Sequence, residues 1–233
     1  MQKINLPELP LEFHDNEQII KCKREKQKYY DPFHQEITSN LHFTSKYEMP
    51  KVNAYLNDIP RFLLSYPRRN ETKRVDCALH FYIHDFKFTS IITQPYKCLN
   101  TLKKYVCVIG PDFSVQPQMP LPEKIKNVYD NKKVTAWWQF NGVNVIPNIV
   151  WCNNIDYEIC FDGFPKHSVI AINSTGLGHD IRSKHCWIDG YKKAIDILEP
   201  STIIRYGAKQ DGENESISYY YENDNKNGGN YGR

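Results

Sequence analysis

Polar residues follow apolar runs at several points in the second half of the chain, and they are the residues best suited to chemistry. Asp85 ends the run CALHFYIHD (77–85), and Asp112 ends the run YVCVIGPD (105–112). If these runs are parallel strands of one sheet, both carboxylates lie at the same edge and can bind Mg²⁺ or act as general acid and base. We therefore take Asp112 and Asp85 as candidate catalytic residues. The alternative is that each Asp caps a helix or shapes a turn.

The segment from Ser174 to Gly178 follows another apolar run and precedes a helical pattern. Backbone amides at such a turn can hold a phosphate, together with the N-terminus of the following helix. The candidate ligand-binding residues here are Ser174, Thr175, Gly176 and Gly178. The segment has neither a complete Gly-x-Gly-x-x-Gly sequence nor the Lys-Ser/Thr pair of a P-loop. An ordinary strand-to-helix turn is therefore the alternative.

Three aromatic residues are candidate ligand-binding residues, Trp138 by stacking on a ligand and Trp151 and Tyr206 because they lie at the ends of apolar runs. Trp138 precedes the run NVIPNIVW (144–151), Trp151 ends that run, and Tyr206 is next to last in STIIRYG (201–207). Aromatic faces stack on nucleobases with little dependence on the base. The alternative is that these rings pack in the core.

The sequence contains no motif for two further kinds of site, a zinc site and the active site of a covalent hydrolase. His80 and His84 lie at strand spacing on one side, but no third ligand accompanies them, so they do not predict a zinc site. There is no Gly-x-Ser-x-Gly elbow and no papain-like cysteine context, so covalent hydrolase chemistry has no support. We therefore assign no metal-ligand residues. Mg²⁺ is a candidate cofactor only because Asp85 and Asp112 could bind it.

The candidate residues depend on strands that alternate with helices. Such alternation predicts a single α/β domain with a mostly parallel central sheet of about five strands, connected by right-handed crossovers and flanked by helices. The sequence leaves open whether this sheet is open or partly closed into a barrel. The predicted strands lie in 77–85, 105–112, 144–151, 168–175 and 201–207, and the predicted helices in 90–104 (interrupted at Pro95), 120–129 and 181–198.

The two ends of the chain differ from this central part. Residues 1–76 contain six prolines, which disfavour long helices, and we predict an irregular N-terminal layer packed on a core domain of residues 77–207. The tail, residues 208–233, is polar and rich in Gly and Asn, and we expect its last ten residues to be mobile. Within it, residues 218–221 could add an edge strand.

Composition narrows the class of protein. The charge is nearly balanced, with 30 Lys and Arg against 27 Asp and Glu, so charge alone does not imply a polyanionic partner. No apolar run approaches the length of a membrane-spanning helix, and the N-terminal residues lack a signal-peptide pattern. We expect a cytoplasmic protein that does not interact with a membrane. Its seven cysteines never occur as Cys-x-x-Cys, which favours reduced thiols.

Several segments in fixed order resemble a known family, the domain of unknown function 4417, which occurs in bacteria and on phages and other mobile elements. The resemblance covers about residues 78–207 and implies a single domain in a phage-like or bacterial cytoplasmic context, but no agreed activity. This chain has His84-Asp85 where the resemblance leads us to expect paired acids. The segments that carry it are HFYIHDFKF, IGPDFSVQPQMPLPEKIKNVYDN, WWQFNGVNVIPNIVW, CFDGFPKHSVIAINSTG and GYKKAIDILEPSTIIRYG.

Two classes of function remain open on the sequence. In the first, the strand-end cleft binds a phosphorylated small molecule, a nucleotide or a nucleic acid, with Mg²⁺ as candidate cofactor. In the second, the same rim is a rigid platform that docks to a host or phage macromolecule without catalysis. A ligand-dependent rise in melting temperature separates the two.

Overall fold

The computed structural model of the chain describes residues 34–70, 75–152, 157–177, 181–221 and 230–231. These residues form two sheets. The first has the strand order β4-β3-β2-β1-β8, in which every pair is parallel except β1 with β8, and the second has the parallel order β5-β6-β7. The strands are β1 (Phe62–Ser65), β2 (Ala78–His80), β3 (Cys107–Ile109), β4 (Val145–Ile146), β5 (Val169–Asn173), β6 (Thr202–Tyr206), β7 (Ser218–Tyr221) and β8 (Asn230–Tyr231).

The two sheets continue into one another between β4 and β5. Asn148 and Ala171 form a parallel bridge, in which the Ala171 N–H donates to the carbonyl of Pro147 at 2.8 Å. The Ile149 N–H donates to the carbonyl of Ala171 at 2.9 Å. Strands β1 to β7 therefore follow one another around a single surface in chain order.

This surface curves until its last strand approaches its first. The hydroxyl of Tyr221 in β7 donates to the carbonyl of Pro60, just before β1. No pairing between β7 and β1 occurs among the described residues, so the sheet is a partial barrel. Its interior is a single buried cluster to which all seven strands contribute, including Leu63, Ala78, Ile109, Ile146, Ala171, Ile204 and Tyr221.

The apolar strands have this composition because both of their faces are buried. In β5, Val169 and Ala171 face the interior of the partial barrel, whereas Ile170 and Ile172 face an outer cluster. This is the period-two alternation of a strand covered on both sides. The prediction of a mostly parallel α/β domain from these runs is confirmed.

Helices cover the outer face of the sheet in two groups. Helices α1, α2 and the end of α3 pack with Leu79 and Val108, while α4 and α5 pack with Ile170 and Ile203. The helices are α1 (Ser90–Thr93), α2 (Pro95–Leu102), α3 (Leu121–Phe140), α4 (Tyr157–Phe161) and α5 (Ile181–Leu198), and short 3₁₀ turns span Gln35–Thr38, Tyr66–Asn70 and Asp85–Lys87.

Three elements differ from the sequence-based expectation or extend it. Strand β1 pairs with β2 and lies within residues 1–76, where only irregular structure was predicted. Helix α3 was expected to end at residue 129 but continues to Phe140, because Trp137 and Trp138 in its last turns pack in the core. The segment 218–221 does form a strand, β7, as the tail composition suggested.

No helix in the part of the chain that the structure describes is long and apolar enough to cross a membrane. The six cysteines within this part, Cys77, Cys98, Cys107, Cys152, Cys160 and Cys186, carry free thiols.

Candidate functional site

A cavity of about 640 Å³ lies beyond the carboxyl ends of β3 and β5, beside the first turns of α5. This is the edge at which parallel α/β sheets bind ligands, because loops and helix N-termini converge there. The volume is in the range typical of small-molecule sites. The polar lining residues include Asp112, Ser114, Gln116, Gln118, Asn173, Thr175, Arg182 and Ser183, and the apolar ones include Phe113, Ile149, Trp151, Leu177 and Trp187.

Asp112 is the carboxylate of this cavity. It follows β3, and its two oxygens accept hydrogen bonds from Asn148 Nδ2 at 2.9 Å and from Asn173 Nδ2 at 3.1 Å. Burial raises the pKa of Asp112 to about 6, the two amide hydrogen bonds oppose this rise, and the charge of Asp85 adds to it. A carboxyl with this pKa can change protonation state close to neutral pH.

Asp85 lies behind the cavity lining. Its two oxygens accept hydrogen bonds from the backbone N–H of Ser114 at 3.1 Å and from the Ser114 hydroxyl at 2.9 Å. Asn131 accepts from the Phe113 N–H at 2.8 Å, and Asn127 donates to the Ser114 carbonyl at 2.7 Å. The segment that carries Asp112 is therefore held by three side chains, and Asp85 is placed to position this segment.

The predicted phosphate-binding turn divides between the cavity and the core. Thr175 and Gly176 line the cavity, and Gly176 has a φ of +89°, a conformation that favours glycine. Ser174 is buried, and its hydroxyl donates to the Ala208 carbonyl at 2.6 Å. Gly178 lies outside the described residues.

The three aromatic residues predicted to bind a ligand lie in three different places. Trp151 lines the cavity and packs directly on Gly190, where a Cβ atom would come within 2.0 Å of the indole nitrogen. Tyr206 is inside the partial barrel, 4.9 Å from the ring of Tyr82. Trp138 is fully buried in the core under α3, and it does not line the cavity.

The cavity thus brings together four of the predicted site residues, namely Asp112, Thr175, Gly176 and Trp151. Asp85 contacts the lining residue Ser114, Ser174 is buried between the lining residues Asn173 and Thr175, and Tyr206 and Trp138 are core residues.

Sequence reasoning missed several residues of the site. Asn148 lies within an apolar run and is 2% exposed, so its need for internal hydrogen-bond partners was the one available signal. Arg182 is exposed in the first turn of α5 and lines the cavity. Trp187, one turn further along, donates from Nε1 to the Asn173 carbonyl at 2.9 Å and forms a wall of the cavity.

Among the described residues, no group of three or more His, Cys, Asp or Glu side chains could hold a metal ion. His80 is buried, and its Nδ1 accepts a hydrogen bond from the Tyr82 N–H at 3.2 Å. Asp112 is the one described carboxylate that lines the cavity. Any Mg²⁺ there would share a single protein carboxylate with oxygens of a ligand, which is a common arrangement for this ion.

Comparison with known proteins places the chain in a family. The model of the family "Domain of unknown function (DUF4417)" matches residues 41–223, which includes β1 and β7 as well as the segments that carried the resemblance. The Gene 1 protein of Mycobacterium phage L5 is 30% identical over 167 residues, which cover 70% of this chain and 72% of that protein. The Gene 1 protein of Mycobacterium phage D29 is 29% identical over 167 residues, 70% of this chain and 62% of that protein. No solved structure matches the chain. The chain is therefore a member of the family of domain of unknown function 4417.

Proposed function

We propose that the cavity at the carboxyl ends of β3 and β5 binds a phosphorylated ligand, a nucleotide or the end of a nucleic acid. The observation that carries this proposal is the composition of the cavity lining. One cavity holds a carboxylate (Asp112), a turn with open backbone (Thr175 and Gly176) and a cation (Arg182). A nucleotide needs these groups together with an apolar wall.

The phosphate is assigned to the side of the cavity formed by the turn and the start of α5. A Cβ atom at Gly176 would meet nothing within 4 Å, so there is room for a ligand close to this backbone. Arg182 is exposed and forms no ion pair with another described residue, and its guanidinium suits phosphate geometry. The N-terminal end of α5, an 18-residue helix, adds a favourable dipole.

The apolar part of the ligand is assigned to the two indoles of the cavity. Trp151 and Trp187 lie with ring centroids 5.6 Å apart and an interplanar angle of 42°. Both line the cavity, and Arg205 packs on the face of Trp187 at 4.5 Å, which fixes that ring. Trp187 is only 6% exposed and also stacks with Tyr191, so a planar base can stack on the partly exposed Trp151 ring.

In this reading Asp112 supplies the chemistry. Its pKa of about 6 means that it is mostly ionised near neutral pH but can accept a proton at small cost. Asp112 therefore accepts a hydrogen bond or a proton from a donor group of the bound ligand.

Thermal melting in the presence of nucleoside monophosphates, with and without Mg²⁺, tests the proposal. We expect a concentration-dependent rise in melting temperature, because a ligand that binds only the folded state stabilises it. Arg182→Gln is expected to lose most of this rise, whereas Lys192→Gln, which removes an exposed cation from the same helix outside the cavity, keeps it. If no phosphorylated ligand shifts the wild-type melting temperature, the proposal is wrong.

A second function is favoured by apolar side chains near the cavity. Ile181, next to Arg182, is 66% exposed, and Leu121, which begins the helix after the Gln116–Gln118 segment, is 49% exposed. Apolar side chains that form a contiguous exposed patch are typical of docking sites, and these two side chains would contribute to such a patch. For a protein that docks to a host or phage macromolecule, we expect no nucleotide-dependent shift and a partner interaction that Ile181→Asp abolishes.

A further inference from the structure

The orientation of the Asn148 amide is determined by its neighbours. The Tyr82 hydroxyl donates to Asn148 Oδ1 at 3.0 Å. Burial keeps the pKa of Tyr82 well above its usual value, so this phenol stays protonated and remains a donor. Asn148 Nδ2 donates to the Pro111 carbonyl at 2.9 Å as well as to Asp112. A flipped amide would place its nitrogen against the Tyr82 donor and its oxygen against the Pro111 carbonyl.

The Asn173 amide is oriented in the same way by the turn that follows it. Asn173 Oδ1 accepts hydrogen bonds from the Thr175 N–H at 2.7 Å and from the Thr175 hydroxyl at 2.8 Å. Its Nδ2 is therefore the group that faces Asp112, at 3.1 Å. Both amides can only donate to the carboxylate.

Asp112 is consequently held as an acceptor on both of its oxygens. Each oxygen of a carboxylate has two lone pairs, so one hydrogen bond from an amide leaves one acceptor site free on each. No described cation forms an ion pair with Asp112, although the residue lines a cavity that also contains Arg182. A desolvated carboxylate without a counter-charge is best satisfied by a ligand that brings its own hydrogen-bond donors.

Resting on the proposed function, we propose that the end of the ligand that faces Asp112 is a nucleobase edge with adjacent N–H donors, as in guanine, so that the cavity selects guanine nucleotides. The N1–H and the N2 amine of guanine lie side by side and match the two oxygens of one carboxylate. The corresponding edge of adenine has one amine beside an acceptor nitrogen, which a carboxylate repels. The Trp151 ring can stack on either base, so the discrimination comes from Asp112.

Calorimetric titration of the full chain with GMP, IMP and AMP tests this inference. IMP retains the N1–H of guanine but lacks the N2 amine, and it is the matched ligand control. We expect GMP to bind about tenfold or more tightly than AMP, with IMP between them, because a bidentate pair typically discriminates on this scale. The Asp112→Asn variant should bind GMP and AMP within about twofold of each other, since an amide at this position presents a donor to the base. Asp196→Asn, an exposed carboxylate of α5 outside the cavity, should keep the wild-type preference.

The outcomes distinguish this inference from the proposed function. If GMP, IMP and AMP bind equally well, or AMP binds best, the cavity binds nucleotides but the assignment of Asp112 to a donor edge is wrong. If none of the three binds, the guanine assignment is wrong, and the proposed function fails as well only if no other phosphorylated ligand shifts the melting temperature. If the Asp112→Asn variant does not fold, the comparison of GMP with IMP on the wild-type protein still tests the inference. The two ligands differ only in the N2 amine that is assigned to Asp112.

Discussion

Asp112 and Asn173 lie 61 residues apart, yet Asn173 Nδ2 donates to Asp112 Oδ2 at 3.1 Å. Asp112 follows β3 and Asn173 ends β5, so the contact crosses the carboxyl end of β4, where the two sheets join. Asn148, which belongs to that junction, holds the other carboxylate oxygen. The curvature of the sheet therefore assembles the centre of the cavity.

The raised pKa of Asp112 predicts a specific pH dependence of stability. Between about pH 4 and pH 6 the folded protein keeps a proton on Asp112 that the unfolded chain has lost, so the free energy of unfolding falls as pH rises. This fall in the free energy of unfolding amounts to about 3 kcal/mol at most, and it is complete above pH 6. We expect the stability of Asp112→Asn relative to wild type to improve by about 2 to 3 kcal/mol between pH 4 and pH 7 in urea denaturation. Asp196→Asn is the control, and a difference for Asp112→Asn that does not change with pH would contradict the assignment.

The buried Lys132 predicts a pH dependence of stability opposite to that of Asp112. It is fully buried in α3, and its Nζ donates to the Ile159 carbonyl at 2.9 Å. Burial lowers its pKa to about 7, with Cys160 and Asp162 opposing the shift. Because the unfolded chain binds more protons between pH 7 and about pH 10, stability rises with pH over this range. Lys132→Met should be more stable than wild type by about 1 to 3 kcal/mol at pH 7, and this advantage should shrink at pH 9. Lys192→Met, at an exposed position, should show no such trend.

Trp138 should be replaceable by Phe. Its indole Nε1 is buried and has no hydrogen-bond partner within the described part of the chain, and its ring lies 5.4 Å from that of Phe81. Trp138→Phe loses buried area but removes an unpaired donor that costs about 1 to 3 kcal/mol, so we expect a net change within about 1 kcal/mol. Trp138→Ala should cost about 3 to 5 kcal/mol. If Trp138→Phe abolishes nucleotide binding at an unchanged melting temperature, Trp138 belongs to the site after all.

Removal of one partner of the buried ion pair between Arg205 and Glu213 should be strongly destabilising. Both side chains are fully buried, and two guanidinium nitrogens donate to the two carboxylate oxygens at 2.8 Å each. Glu213→Gln should cost about 3 to 5 kcal/mol in urea denaturation, because the Arg205 charge stays buried without its partner. Glu215→Gln removes an exposed acid that pairs with Lys209, and it should cost no more than about 1 kcal/mol. Equal effects of the two variants would contradict this account.

The sequence predicted the parallel strands because two-sided burial leaves an unmistakable apolar run, as in β5 and β6. Strand β1 was missed because its four residues lie between Pro60 and Pro67, so the prolines dominated the local pattern. The length of α3 was underestimated because Asp130, Lys132 and Lys133 resemble a helix end, whereas all three are buried in the fold. Burial of such residues depends on long-range packing, which local periodicity does not report.

The candidate site, like the fold, could be predicted only in part from the sequence. Asp112, Thr175, Gly176 and Trp151 line the same cavity because strand ends converge at one edge of a parallel sheet, and their roles in binding stay predictions. Trp138 and Tyr206 were assigned to the site because a strand or helix end indicates position along the sheet but not the face on which a side chain lies. Arg182 gave no local signal, since its role depends on the direction of α5. The one signal for Asn148, a polar residue within an apolar run, did not indicate its partners, which depend on the bridge between β4 and β5.

Binding of a phosphorylated ligand beside Arg182 is the central claim, and calorimetric comparison of a nucleoside with its 5′-monophosphate measures it most directly. On the wild-type protein we expect the phosphate to increase affinity by about tenfold or more, because a charge-assisted hydrogen bond to Arg182 forms only with the monophosphate. Arg182→Gln should remove most of this increment while leaving the affinity of the nucleoside unchanged, and Lys192→Gln should preserve the increment. Equal affinity of nucleoside and monophosphate for the wild-type protein, or an increment that survives Arg182→Gln, would contradict the account.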